Sequence, residues 1–157
     1  MPASSPAIAT AVLGTMLVAL LAPGVSAQAP SPAFVARATV TVDNESPVPQ
    51  LVAGTNVPPF TLLPYRRAAL AMSAPLPPGP VPGSPVPVRF SYSIGQAPGP
   101  QCRGTIDMRI AVRGTPANNA EATHCVAHSL GIGGASCNIA VTARDAACEG
   151  GLAFVAP

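Results

Sequence analysis

Two histidines flank a cysteine in the segment HCVAH, where metal chemistry would first be sought. On a helix, a spacing of four would bring the rings of His124 and His128 within reach of one metal ion, whereas on a strand they share a face about 13 Å apart. The surrounding alternation indicates a strand, and no glutamate lies between them as a zinc-protease helix requires. We therefore predict no metal site and no cofactor. His124 and His128 remain the residues that an alternative, a small hydrolase or metal-binding protein, would use.

Hydrolytic motifs are missing from the sequence. Ser129 and Ser136 lie near the histidines, but neither stands in a G-x-S-x-G nucleophile elbow. The six carboxylates are spread along the chain, and a hydrolase would have to combine a histidine with Asp145, Glu121 or Glu149. We predict no catalytic residues.

Arginine is the one concentrated polar feature. Four arginines are predicted to share a sheet face, and they are Arg89, Arg103, Arg109 and Arg113. Because arginine forks match carboxylates and phosphates, this face is a candidate site for an anionic or protein partner. The alternative is a solvated sheet face on which Asp107 neutralises one arginine.

The charge balance excludes one class of partner. Eight arginines and six carboxylates give a net charge of +2, and charged residues make up 9% of the 157 residues. Scattered arginines leave no basic patch that could follow a nucleic acid backbone. The 48% apolar content also argues against a disordered tail protein.

The N-terminal segment predicts export. Residues 1–36 carry no charged side chain, and an apolar run from Ala11 to Ala22 is followed by the small residues Val25, Ser26 and Ala27. This pattern is typical of a signal peptide, residues 1–27, cleaved before Gln28. We expect a flexible stretch at 28–33, a secreted or periplasmic location and no stable membrane span after cleavage. A retained anchor over residues 7–29 is the alternative.

The four cysteines, Cys102, Cys125, Cys137 and Cys148, predict two disulfides in an exported chain. They contain no close pair of the kind that zinc sites and redox thiols use. Pairing Cys125 with Cys137 across the loop SLGIGGA, and Cys102 with Cys148, is our preferred arrangement. The alternative pairs Cys102 with Cys125 and Cys137 with Cys148, and it also uses all four cysteines. Four cysteines permit three connectivities, and the sequence alone does not select one.

Two clean alternations determine the fold class. Residues 86–94 and 102–112 each place apolar side chains on one face and polar ones on the other, and the turn-rich segment GQAPGPQ between them predicts a hairpin. Joining the apolar faces restricts the register to even shifts. One such register sets Arg89 against Asp107, Ser91 against Thr105 and Tyr92 against Gly104. A shift by two would set Arg89 beside Arg109, so charge favours the first.

Weaker strands are predicted at 36–42, 50–53, 60–63, 122–128, 137–143 and 152–155, with Pro58 and Pro59 as interruptions. Residues 65–72 could form a short helix or a strand. We predict an all-β protein, a small antiparallel sandwich (immunoglobulin-like or jelly-roll-like) or partly open barrel. It forms one domain over 34–157 with a proline-rich loop at 75–87.

These observations favour an exported, non-catalytic β-sandwich that acts as a binding, adhesion or envelope structural module. A protein partner would bind the edge strand predicted at Val35 to Val42 or the proline-rich loop. A second hypothesis is an inhibitor or antagonist that presents the proline-rich loop to an exported enzyme.

Overall fold

Two β-sheets form the protein. The computed structural model describes residues 34–76, 83–112 and 120–157, and within those ranges it contains no helix. The strands are β1 (Val35–Asn44), β2 (Gln50–Gly54), β3 (Val57–Leu62), β4 (Arg67–Pro75), β5 (Pro85–Gly95), β6 (Gln101–Val112), β7 (Ala120–Ile132), β8 (Ser136–Arg144) and β9 (Ala147–Val155). One sheet has the order β4-β1-β9-β8 and the other β3-β2-β5-β6-β7. The predicted all-β sandwich is confirmed. The predicted signal peptide and residues 28–33 lie outside the described residues.

The predicted hairpin is confirmed in detail. β5 and β6 pair antiparallel with Arg89 opposite Asp107, Ser91 opposite Thr105 and Tyr92 opposite Gly104. Alternation restricts such a pair to even shifts, and the opposite charges select among them.

The apolar faces of the two sheets meet in one core. Phe90, Ile106 and Met108 from the five-stranded sheet are at most 1% exposed, as are Val40, Leu70 and Phe154 from the four-stranded sheet. Removal of these side chains from water is the main stabilising contribution to such a fold.

Residues 65–72, left open between helix and strand, contribute most of β4. Leu70 and Met72 point into the core at 1% exposure, and β4 pairs along its length with β1. This tertiary pairing overrides the helix preference of the alanines. Pro58 and Pro59 do not interrupt β3, because β3 is an edge strand and the two prolines lie where its register with β2 shifts between Val52 and Gly54. Prolines are tolerated at such edges and bulges.

The proline-rich segment is shorter as a loop than predicted. β4 ends at Pro75 and β5 begins at Pro85, while residues 77–82 lie outside the described residues. β5 pairs with β2 over Tyr92–Ile94, which leaves one side of its first residues without a neighbouring strand. Pro85 and Pro87 can therefore belong to β5 without removing a ladder hydrogen bond on that side.

The predicted edge strand at Val35 to Val42 is wrong. β1 pairs antiparallel with β4 on one side and parallel with β9 on the other, so its backbone groups are used. The parallel pair joins strands from the two ends of the chain, and no local sequence pattern encodes it. The edge strands are β3 and β7 in the five-stranded sheet and β4 and β8 in the four-stranded sheet.

Both disulfide arrangements that we considered are wrong. The bonds are Cys102–Cys137 and Cys125–Cys148, and each links a strand of one sheet to a strand of the other. Our preferred pairing took SLGIGGA as a loop, but β7 continues to Ile132 and only Gly133 and Gly134 form the turn. Both glycines have positive φ, as a two-residue type I′ turn requires. That turn places Cys125 and Cys137 at different levels of the sandwich.

β7 and β8 approach each other without forming a ladder. Beside the turn, Ala135 N–H donates to Ile132 O. At the other end of the two strands, Ala122 N–H donates to Asp145 O, with 2.6 Å between nitrogen and oxygen. Between them, β7 pairs with β6 and β8 with β9, so the strands on either side of the turn do not form the ladder that a bond between Cys125 and Cys137 would need. The described strands therefore form a sandwich rather than a closed barrel.

A buried polar network closes the side opposite the disulfides. Asn44 Nδ2 donates to the carbonyls of Val48 and Leu63 at 3.0 Å and of Leu62 at 3.3 Å, and Asn44 Oδ1 accepts from Ser46. Asn44 is fully buried, and its amide ties the end of β1 to the end of β3 across the two sheets.

We expect Asn44→Asp to lower the free energy of unfolding by about 3 to 5 kcal/mol at neutral pH. The change replaces a donor with a buried charge facing three carbonyl oxygens. Urea denaturation measures it, and Asn138→Asp, the same change at an exposed position of β8, is the control. Equal effects at both positions would contradict the proposed role of the network.

We expect the double variant Cys102→Ser, Cys137→Ser to lose about 2 to 4 kcal/mol of unfolding free energy. The bond closes a sequence separation of 35 residues, against 23 for Cys125–Cys148. The matching variant at Cys125 and Cys148 should therefore lose slightly less. Unfolding midpoints under non-reducing conditions test this, and an unchanged midpoint in either variant would contradict it.

Candidate functional site

A shallow pocket of about 420 Å³ lies on the outer face of the five-stranded sheet. Its lining residues come from three adjacent strands, and they are Pro87, Val88, Arg89, Asp107, Met108, Arg109, His124, Val126 and His128. We call this the outer pocket. It brings together four of the residues singled out from sequence: Arg89, Arg109, His124 and His128.

Strand register explains why these side chains meet. Arg89 lies opposite Asp107, which lies opposite Val126, so the three form a row across β5, β6 and β7. Arg109 lies opposite His124 in the next row of the same face.

A β-bulge in β7 sets the direction of the histidines. The pairing shifts between Arg109 and Ile110, so that Thr123 is an extra residue whose hydroxyl donates to Arg109 O at 3.2 Å. Ala122 is consequently buried and His124 exposed, although they are two positions apart in the same strand. A regular strand would place both on one face. Sequence reasoning missed the bulge, because nothing in the local pattern marks it.

One ion pair organises the charge of the outer pocket. Arg89 Nε donates to Asp107 Oδ1 at 2.6 Å. This hydrogen bond, reinforced by the carboxylate's charge, raises the pKa of Arg89 above its ordinary value. Within the described residues, the side chains of Arg109, His124 and His128 have no hydrogen bond or ion pair. All three residues are exposed.

Other predicted site residues lie elsewhere. Arg103 stands opposite Leu130, and its Nη2 donates to Gln101 Oε1 at 2.9 Å. Arg113 lies outside the described residues. Of the carboxylates considered for hydrolysis, Glu149 accepts from Arg144 at 3.4 Å. Neither Glu149, Glu121 nor Asp145 lines the outer pocket, whose carboxylate is Asp107.

The histidines do not form a metal-binding group with the residues around them. They lie four residues apart on a strand, which corresponds to about 13 Å. Across the described parts of the chain, no three His, Cys, Asp or Glu side chains are grouped as metal ligands would be.

Tyr92 supports β7 from the buried side. Its ring lies over Gly104, where an added Cβ would collide with it, and its hydroxyl donates to His128 O at 3.3 Å. Burial raises the pKa of Tyr92 to about 12, partly offset by a hydrogen bond with Ser129. A neutral phenol therefore holds β7 at the level of the outer pocket.

The structure defines a disulfide-stabilised, all-β sandwich with an open polar pocket on one face. No protein family model, curated protein or solved structure matches the chain. In the ranges that the structure describes, no helix is both long and apolar enough to cross a membrane. Two disulfides without a free cysteine are typical of an oxidising, extracellular or periplasmic setting.

Tyr92 gives the protein a stability change at high pH. Its folded pKa of about 12 exceeds the ordinary value of about 10. The folded state therefore retains a proton that the unfolded state loses, and stability falls as pH rises from about 10 towards 12. Thermal unfolding across this range should show that fall, and Tyr92→Phe should reduce it.

Tyr65→Phe is the control, because Tyr65 is 70% exposed and is the other of the two tyrosines. A fall that Tyr65→Phe reduces and Tyr92→Phe does not would overturn this assignment.

Proposed function

We propose that the chain is exported to the extracellular or periplasmic space, with residues 1–27 removed before Gln28, and acts there as a non-catalytic binding module. Its site is the outer pocket, and its ligand is an acidic segment of a protein partner. The observation that supports this most directly is a group of three cationic or polar side chains, Arg109, His124 and His128, that have no partner among the described residues and lie beside the Arg89–Asp107 pair.

Carboxylate is the chemistry that this group recognises. An arginine guanidinium binds a carboxylate through two parallel N–H donors, and Arg109 has all of its donors free among the described residues. Arg89, which also lines the pocket, uses Nε for Asp107, so its Nη donors are not engaged in that bond. Two acidic side chains of one ligand could thus be bound on neighbouring rows.

The apolar lining favours a peptide over a glycan. Pro87 and Val126 lie among the charged groups, and they offer surface for the apolar part of a peptide. The pocket contains no Phe, Tyr or Trp on which a sugar ring could stack. Asp107 is bound to Arg89, which supports a structural role for this carboxylate rather than an acid–base role.

Fluorescence anisotropy with a labelled extended peptide, carrying glutamate at alternate positions, tests the proposal. We expect Arg109→Gln to weaken binding about 10-fold, since a charge-assisted hydrogen bond is lost. Arg144→Gln, a change at an exposed arginine of the four-stranded sheet, should leave binding unchanged. The same peptide with glutamine in place of glutamate should bind at least as weakly to the unaltered protein.

Three results would contradict the proposal. One is equal binding by the Arg109→Gln and unaltered proteins. Another is equal binding of the glutamate and glutamine peptides. The third is binding of a sulfated polysaccharide such as heparin without binding of the acidic peptide, which would assign the pocket to a glycan.

A further inference from the structure

Both histidines of the chain lie in the outer pocket. The sequence contains two, His124 and His128, and each lines the pocket from the edge strand β7. Histidine is the side chain whose charge ordinarily changes between about pH 5 and 8. Cysteine can also titrate in this range, but all four cysteines are in disulfides. We therefore expect the side-chain charge of the protein to change over this range at the outer pocket.

Protonation of the histidines changes the outer pocket strongly, because the pocket carries little charge without it. Two arginines and one carboxylate, Arg89, Arg109 and Asp107, give the pocket a formal charge of +1, and two protonated histidines raise it to +3. Both histidines are exposed, and neither has a hydrogen bond or ion pair among the described residues. Solvent protons and a ligand therefore have access to both rings.

The nearest carboxylate of the pocket is already engaged. Val126 separates His124 from His128 along β7, and Asp107 lies opposite Val126 on β6. Arg89 Nε donates to Asp107 Oδ1 at 2.6 Å. Because Asp107 is bound to Arg89, an incoming carboxylate supplies the partner that each protonated histidine lacks.

Other charged residues near β7 lie outside the outer pocket. Arg103 lies one row beyond His128, and Glu121 lies one row beyond His124. The turn that contains Asp145 is hydrogen-bonded to the start of β7 through the Asp145 carbonyl. None of these three charged residues lines the pocket. The change of the pocket's charge with pH therefore comes from the two histidines.

We propose that His124 and His128 make the outer pocket an acid-enhanced site, which binds its acidic ligand more tightly at about pH 5.5 than at about pH 7.5. This inference rests on the proposed function, because it assigns a regulation to the same site. Glutamate, whose ordinary pKa is about 4.3, stays ionised at both pH values. The ligand thus keeps its charge while the pocket gains charge, and a protonated histidine has an N–H donor on each ring nitrogen.

Proton linkage determines the direction of the effect. A carboxylate next to a histidine favours the charged form of the ring, so the complex holds more protons than the free protein and peptide. Binding therefore takes up protons and becomes tighter as the pH falls.

Anisotropy titrations of the chain recovered after export test this proposal, with the labelled glutamate peptide at the two pH values and constant ionic strength. We expect the dissociation constant to be about 10-fold lower at the acidic pH. The double variant His124→Gln, His128→Gln should have about the same dissociation constant at both. The double variant His124→Arg, His128→Arg keeps the charge at both pH values. It should bind without pH dependence, and more tightly at the neutral pH than the glutamine double variant.

Arg144→Gln is the matched control, because it changes an exposed charge on the other sheet and should leave the pH dependence intact. The peptide with glutamine in place of glutamate should show no acid enhancement. Calorimetry between these pH values, in two buffers of different ionisation enthalpy, should show proton uptake on binding that the His124→Gln, His128→Gln variant loses. Unfolding curves at both pH values should show that every variant is folded.

Two results would overturn the acid enhancement alone. One is peptide binding at the neutral pH that does not tighten at the acidic pH, which leaves the acidic ligand in place. The other is tightening that persists in the His124→Gln, His128→Gln variant. Absence of peptide binding at both pH values would overturn this inference together with the proposed function.

Discussion

Everything in this fold depends on how two thin sheets are held face to face. On one side, Cys102–Cys137 and Cys125–Cys148 join β6 and β7 to β8 and β9 by covalent bonds. On the other side, no cysteine is present, and the buried amide of Asn44 connects β1 to the end of β3 through carbonyl groups. The disulfides stabilise the fold by constraining the unfolded chain. The Asn44 network stabilises it only if every buried polar atom has a hydrogen-bond partner in the folded protein. In the described residues, no buried side-chain N or O atom lacks one.

Local alternation predicted the hairpin of β5 and β6, because the two-residue period of each strand and the opposite charges of Arg89 and Asp107 all lie within one short stretch of sequence. The pairing of Arg89 with Asp107 needed no information from the rest of the chain. Disulfide connectivity could not be obtained in the same way. It depends on the two-glycine turn at Gly133 and Gly134, and on β8 leaving β7 to pair with β9. The central place of β1 likewise depends on a parallel pairing with the last strand, which is a property of the whole topology.

The candidate site was predicted residue by residue but not as an arrangement. Alternation indicated outward-facing arginines on β5 and β6, and it suggested that Asp107 neutralises one of them. That His124 would stand beside Arg109 required the pairing of β6 with β7 and the bulge at Thr123. Arg103 shares the predicted face, but its row lies farther along β6, beside Leu130. The residues that share a sheet face can thus be predicted from one strand, whereas the residues that line a pocket can be predicted only when the neighbouring strands are known.

The low charge of the chain has a spatial consequence. With 9% charged residues, polar side chains cannot cover the surface, and some apolar side chains must face water. If composition alone decided where, they would be distributed over both ends and both faces. Instead, six of the seven large ones described lie near one end, and three of these, Val48, Leu63 and Tyr65, belong to the loops that the Asn44 amide holds through carbonyl groups. Among the described residues, four arginines have no carboxylate partner. Arg66 lies at that end and Arg109 in the outer pocket, while Arg37 lies near the start of β1 and Arg103 beside Leu130. Placement, rather than composition, therefore distinguishes an apolar end from a polar face, and the rigid frame between them keeps the two surfaces separate.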